Sequence, residues 1–157
     1  GEAKTEQIVK SWIANLATDV FPDDTKMLEA IAAGQCDVGI ANTYYYGRLM
    51  AKSPSMPVGI FWANQNANGV HVNVSGAGIT KHAKHAAEAQ KLLEWLSSPK
   101  AQNLYADVDM EFPANPNVKP SATVASWGAF KSNPLNVAKA GELQASAVKL
   151  MDRVGYK

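Results

Sequence analysis

The chain has 157 residues, enough for roughly one ordinary domain, with 46% apolar and 18% charged residues and a formal net charge of +1. That balance gives no long-range field to draw nucleic acid or an anionic membrane surface, and no apolar run reaches the roughly 18 residues of a membrane span. The chain opens on Gly1-Glu2-Ala3-Lys4 without a secretory signal, so it is expected to be cytosolic, already processed, or a fragment. Cys36 is the one cysteine, which excludes an internal disulfide and a multi-thiolate metal site; it reads as an inert small apolar residue.

Taken in order, residues 4–17 set Ile8, Trp12, Ile13 and Leu16 at helical spacing. Phe21-Pro22-Asp23-Asp24 stops that helix. Asp23 or Asp24 then caps a second one, Thr25 to Ala33, with Gly34 placed to terminate it. Asp37 to Ala41 has strand character, and a helix from about Thr43 to Lys52 ends before Pro54. Val58-Gly59-Ile60-Phe61-Trp62 reads as a buried strand, and Val70 to Ser75 alternates as a strand wet on one face does. Gly76-Ala77-Gly78 predicts a close backbone approach. Ala86 to Ser97 is amphipathic, with Leu92, Leu93 and Leu96 on its inner face. Ser98-Pro99 restarts a helix to about Ala106, since proline suits the first turn. Pro113 and Pro116 force an extended segment, a short helical turn is expected near 124–130, and a last helix runs from about Ala138 to Val154. Strands separated by helices indicate an α/β fold.

In such a fold, ligands gather beyond the carboxyl ends of strands, and Asn42-Thr43-Tyr44-Tyr45-Tyr46 stands at such an end. Adjacent side chains diverge on a regular helix or strand, so neighbouring phenols converge on one ion only at a strand-to-helix turn. Phenolate oxygen is a hard anionic donor that suits a hard cation such as ferric iron. A free tyrosine has a pKa of about 10, so the metal itself must create the phenolate; uptake then releases protons and acid loosens the metal. On the triplet alone, amphipathic packing or a protein contact patch is the preferred reading. Arg48, one turn on, suits either an anion or a neighbouring carboxylate. His71, His82 and His85 lack zinc-site spacing and read as surface or strand-face residues. No nucleophile elbow, Cys–His pair or spaced carboxylate set indicates an enzyme.

The run Ala33-Gly-Gln-Cys-Asp-Val-Gly-Ile-Ala-Asn-Thr-Tyr-Tyr45, the stretch His71-Val-Asn-Val-Ser-Gly-Ala-Gly78, Leu96-Ser-Ser-Pro-Lys-Ala-Gln102, Glu111-Phe-Pro-Ala-Asn-Pro116 and the ending Val154-Gly-Tyr-Lys157 carry a likeness. The chain resembles the carboxyl-terminal half of bacterial periplasmic ferric-ion-binding proteins, the substrate-binding components of iron ABC importers. The resemblance implies a partial type II periplasmic binding protein fold. It implies iron-binding lobe elements over about 1–75, a crossover and other-lobe elements over about 76–136, and a terminal helix at about 137–157 returning to the first lobe. It also implies Tyr44 and Tyr45 as phenolate ligands of Fe³⁺, which reverses the packing reading for those two and leaves Tyr46 with packing.

A synergistic carbonate or phosphate is implied as well, with Asn42, Thr25 and Arg48 as candidate anion donors. Some members carry asparagine near the position of Asp24, and an aspartate there repels an anion. The implied partners are the amino-terminal half of the protein and an inner-membrane ABC permease, with no nucleic acid and no membrane span in this chain. The implied location is the periplasm, and the implied mechanism is capture by closure of two lobes around the ion. The alternatives are the same fold holding another small solute, an oxyanion or an organic cation, and an isolated lobe serving as a metal-free interaction module.

Overall fold

The structure is a computed structural model and describes residues 1–156, so Lys157 of the terminal motif lies outside the described residues. Seven helices form among them: α1 (Glu2–Ala14), α2 (Asp24–Ala32), α3 (Thr43–Lys52), α4 (Ala86–Leu96), α5 (Pro99–Val108), α6 (Ala122–Ser126) and α7 (Val137–Val154). Their starts follow local chemistry. The Lys26 amide donates to Asp23 Oδ1 at 2.8 Å, and the Ala138 amide donates to Asn136 Oδ1 at 2.9 Å, each closing an orphan donor of a first turn. Ser98 caps α5 and Pro99 follows it, where a missing N–H costs nothing. Gly155, at φ +78°, ends α7 in the left-handed conformation that only glycine adopts freely.

The chain divides into two compact units. The first is Gly1–Ile40 with the segment from Pro134 onward, and the second is Ala41–Asn133. In the first unit, Val9 of α1, Leu28 and Ala30 of α2 and Leu150 of α7 are buried. Arg153 of α7 clasps α1: its Nη2 lies 2.8 Å from Glu2 Oε1 and 2.9 Å from Glu6 Oε2. Hydrogen bonds from Lys10 first, then from Arg153, hold the Glu6 carboxyl below its ordinary value, and the two carboxylates push the Arg153 guanidinium upward.

The second unit buries Ala101, Ala106, Val118 and Val124 beside an aromatic cluster. Trp62 stacks on Phe130 with centroids 4.3 Å apart, and Phe112 meets Trp62, Trp127 and Phe130 edge-on. The Trp62 indole N–H donates to the Trp127 carbonyl at 3.0 Å, which satisfies its one polar atom. The segment Glu111–Asn117 is anchored by Gln102, whose Oε1 accepts from the amides of Ala114 and Asn115, while Asn115 Nδ2 donates to the Ser97 carbonyl at 2.8 Å.

Three expectations are corrected. The predicted strands at 37–41, 58–62 and 70–75 form no ladder among the described residues. The one pairing among the described residues is a parallel bridge, in which the Val70 amide donates to the Lys131 carbonyl at 2.9 Å and the Asn133 amide donates to the Val70 carbonyl at 2.8 Å. A strand is a property of two chains side by side, and the apolar pattern names only one of them. Val38, Ile40 and Phe61 are accordingly 85%, 83% and 86% exposed. Gly76 and Gly78 face open space where close backbone approach was expected; Gly69 is a tight position instead, since at φ +87° a Cβ there would stand 2.5 Å from the Lys131 carbonyl oxygen. The inner face predicted for the 86–97 helix is only partly covered: Leu93 and Leu96 are half-buried and Leu92 is exposed.

Candidate functional site

Helix α3 carries the tyrosines. Asn42 is its N-cap, in extended conformation at φ −72° and ψ 137°, so Tyr44 and Tyr45 fall in the first helical turn. The Tyr45 amide donates to the Asn42 carbonyl at 3.2 Å. At this junction the two neighbouring rings do not diverge as they would mid-helix: their centroids are 4.4 Å apart, with planes inclined at 39°. Both residues are half-buried. Helix N-termini carry partial positive charge, which favours anionic groups.

Tyr46 points elsewhere. Its ring meets Trp127 edge-on with centroids 6.0 Å apart, and with Met50, Ile60, Thr123, Ser126 and Trp127 it lines a cavity of about 360 Å³. Gly47 is buried because its neighbours leave no room: an added Cβ would stand 2.8 Å from Trp127 Cζ2 and 2.9 Å from Met110 Cβ. Glycine costs a helix interior about 1 kcal/mol relative to alanine, and here the close approach of the α5 exit is what that cost permits.

Arg48, one turn beyond Tyr44, does two things at once. Its Cζ lies 5.1 Å from the Tyr44 ring centroid, within cation–π range, and its Nη2 lies 3.1 Å from Asp109 Oδ1. Of the two partners open to it in the sequence, the structure shows the carboxylate. Asn42 Oδ1 accepts from Asn73 Nδ2 at 3.2 Å, tying the helix entry to the 70–75 segment. Thr25 belongs to the first unit, in the first turn of α2, where the Lys26 and Met27 amides are already bonded to Asp23.

So Tyr44, Tyr45, Asn42 and Arg48 come together over the first two turns of α3, and Asp109 and Asn73 join them. Nothing local in the sequence pointed to Asp109, which is 61 residues from Arg48. No group of three His, Cys, Asp or Glu side chains is arranged to hold a metal among the described residues. The phenols of Tyr44 and Tyr45 and the Asn42 amide are oxygen donors of another kind at the start of this helix.

Comparison with known proteins places the chain. Residues 3–132 match the family described as bacterial extracellular solute-binding protein. Iron uptake protein A1 of Synechocystis is 38% identical over 163 residues, covering 100% of this chain and 45% of the relative. A Trichodesmium IdiA/FutA protein, solved in complex with iron and citrate, superposes with a TM-score of 0.93 at 39% identity over 100% of this chain and 52% of that one. A ferric binding protein from Campylobacter jejuni gives 0.91 at 34% identity, covering 97% of this chain and 50% of that one. The chain thus spans about half the length of the curated relatives it matches. With that family match and that agreement in backbone path, the chain belongs to the bacterial extracellular solute-binding proteins and carries part of their type II periplasmic binding protein fold.

Proposed function

We propose that this chain is the carboxyl-terminal portion of a periplasmic ferric-ion-binding protein, and that Tyr44 and Tyr45 hold Fe³⁺ through their phenolate oxygens. The observation that carries the reading is the pair of phenol rings set 4.4 Å apart on the first turn of α3. A trivalent cation between two such oxygens favours their charged forms strongly, as any close opposite charge does. The role is binding and delivery, in keeping with a solute-binding family, and not catalysis.

Two phenolates do not fill the coordination sphere of ferric iron, so the remaining ligands come from the amino-terminal portion of the longer protein. Asn42 and Arg48 are the groups we assign to an accompanying carbonate or phosphate, which takes guanidinium N–H donors other than the one on Asp109. The loaded protein then delivers its ion to a membrane-embedded ABC permease. No helix among the described residues is long and apolar enough to cross a membrane itself.

Ferric citrate added to the protein should produce a broad visible phenolate-to-iron charge-transfer band. The band should weaken in Tyr44→Phe and in Tyr45→Phe and vanish in the double variant. A wild-type protein that takes up iron without such a band, or a double variant that keeps the band, overturns the assignment.

A further inference from the structure

We propose that Asp109 is a positioning residue for the phenol site: its carboxylate holds the Arg48 guanidinium over the face of Tyr44. The role is one toward the ferric site proposed above and rests on that reading.

Arg48 stands four residues after Tyr44 on α3, so the two side chains share a face of the helix. A long arginine side chain has many rotamers, and helical spacing alone does not choose among them. The Asp109 carboxylate does choose, taking Nη2 at 3.1 Å while Cζ sits 5.1 Å from the Tyr44 centroid.

Asp109 is itself fixed. It is the C-cap of α5, its amide donates to the Tyr105 carbonyl at 3.0 Å, and the next residue, Met110, turns the chain away in the left-handed region at φ 59°. A residue with a Cβ is held there only by its surroundings. Here the surroundings are α3, since Met110 Cβ would lie 2.9 Å from any Cβ at Gly47, the residue immediately before Arg48. The α5 exit and α3 are therefore in register at the base of the Arg48 side chain.

The side chains of Arg48 and Asp109 are 46% and 35% exposed, so their pairing adds little to stability. What it supplies is direction. A guanidinium over the ring limits the tilt of Tyr44 beside Tyr45 and places positive charge 5.1 Å from the centre of the ring that becomes a phenolate when it binds a metal. Electrons on a phenolate so stabilised need more energy to move to iron, which sets the charge-transfer band at shorter wavelength than it would have without Arg48.

The test has one readout without metal and one with it. In the metal-free chain, labelled tyrosine ring resonances are recorded by NMR, with Tyr44 assigned by its loss in Tyr44→Phe. Asp109→Asn should move the Tyr44 resonance toward its position in Arg48→Met, and Asp109→Glu, which keeps the carboxylate, should return it toward wild type. A Tyr44 resonance unmoved in Asp109→Asn, or an Asp109→Glu chain whose Tyr44 signal matches Arg48→Met, overturns the proposal.

With ferric citrate, Asp109→Asn should shift the band to longer wavelength, in the direction of Arg48→Met and by less. A shift to shorter wavelength would show Arg48 still in place, with its charge merely unmasked, and would also overturn it. Failure of the wild-type chain to develop any band counts against the ferric reading and leaves the ring resonances to decide the placement of Arg48.

Discussion

Gly47 shows how one missing Cβ shapes the site. Replacing it by alanine gains about 1 kcal/mol of helix propensity, but the new methyl meets Trp127 and Met110 well inside contact distance. Overpacking of that kind costs about 1–3 kcal/mol, so Gly47→Ala should lower stability by up to roughly 2 kcal/mol net. Urea unfolding checks this, and an unchanged midpoint would mean that the α5 exit gives way freely. Gly69 is the stricter case, because at φ +87° an alanine there is strained in its backbone as well as crowded against Lys131. Gly69→Ala should cost more than Gly47→Ala in the same assay. Both sites were visible in the sequence as glycines, but neither was distinguishable there from Gly76 or Gly78, which face open space. The difference lies in atoms contributed by residues far along the chain.

The helices behave as their caps and breakers dictate. Asp23, Ser98, Asn136 and Gly155 stand where N-cap and C-terminal chemistry require, and the observed helix ends fall within a few residues of those read from the sequence. Asp23→Ala, which opens the Lys26 amide, should cost about 1 kcal/mol, read as a lowered urea midpoint.

The strands did not follow from their pattern in the same way. A helix satisfies its hydrogen bonds within its own segment, whereas an extended segment must find a neighbour. Val70 finds Lys131 and Asn133, brought to it by Gln65, whose Nε2 donates to the Lys131 carbonyl at 3.2 Å. Residues 37–41 and 58–62 find no such ladder among the described residues.

At the scale of the molecule, the α1–α7 clasp of the first unit adds a modest stabilisation that titrates. The folded-state pKa of Glu6 lies below its unfolded value, so the stabilisation it provides is fully present above the unfolded carboxylate pKa. It is lost as pH falls through the lowered folded value. Unfolding midpoints measured from neutral to strongly acidic pH should fall less steeply for Glu6→Gln than for wild type, and added salt should shrink the difference. The exposed apolar segments make a separate prediction. Phe61 is 86% exposed, so Phe61→Ser should change the stability of this chain by no more than about 0.5 kcal/mol. If the amino-terminal portion of the longer protein covers that segment, the same substitution should weaken assembly of the two portions, measured by co-purification of separately produced halves.

The sequence by itself determined the seven helical segments, the caps of the second and fifth, and the placing of Tyr44 and Tyr45 just after an extended run. Each of these depends on residues within a few positions of one another, where propensity, hydrogen-bonding side chains and proline geometry act directly. Tertiary structure alone decided that the two phenol rings lie together while Tyr46 turns to Trp127, and that Asp109 meets Arg48 across 61 residues. It also decided which glycine is crowded and which apolar segment goes unpaired. Those outcomes depend on which distant atoms share a neighbourhood, and no local pattern encodes that.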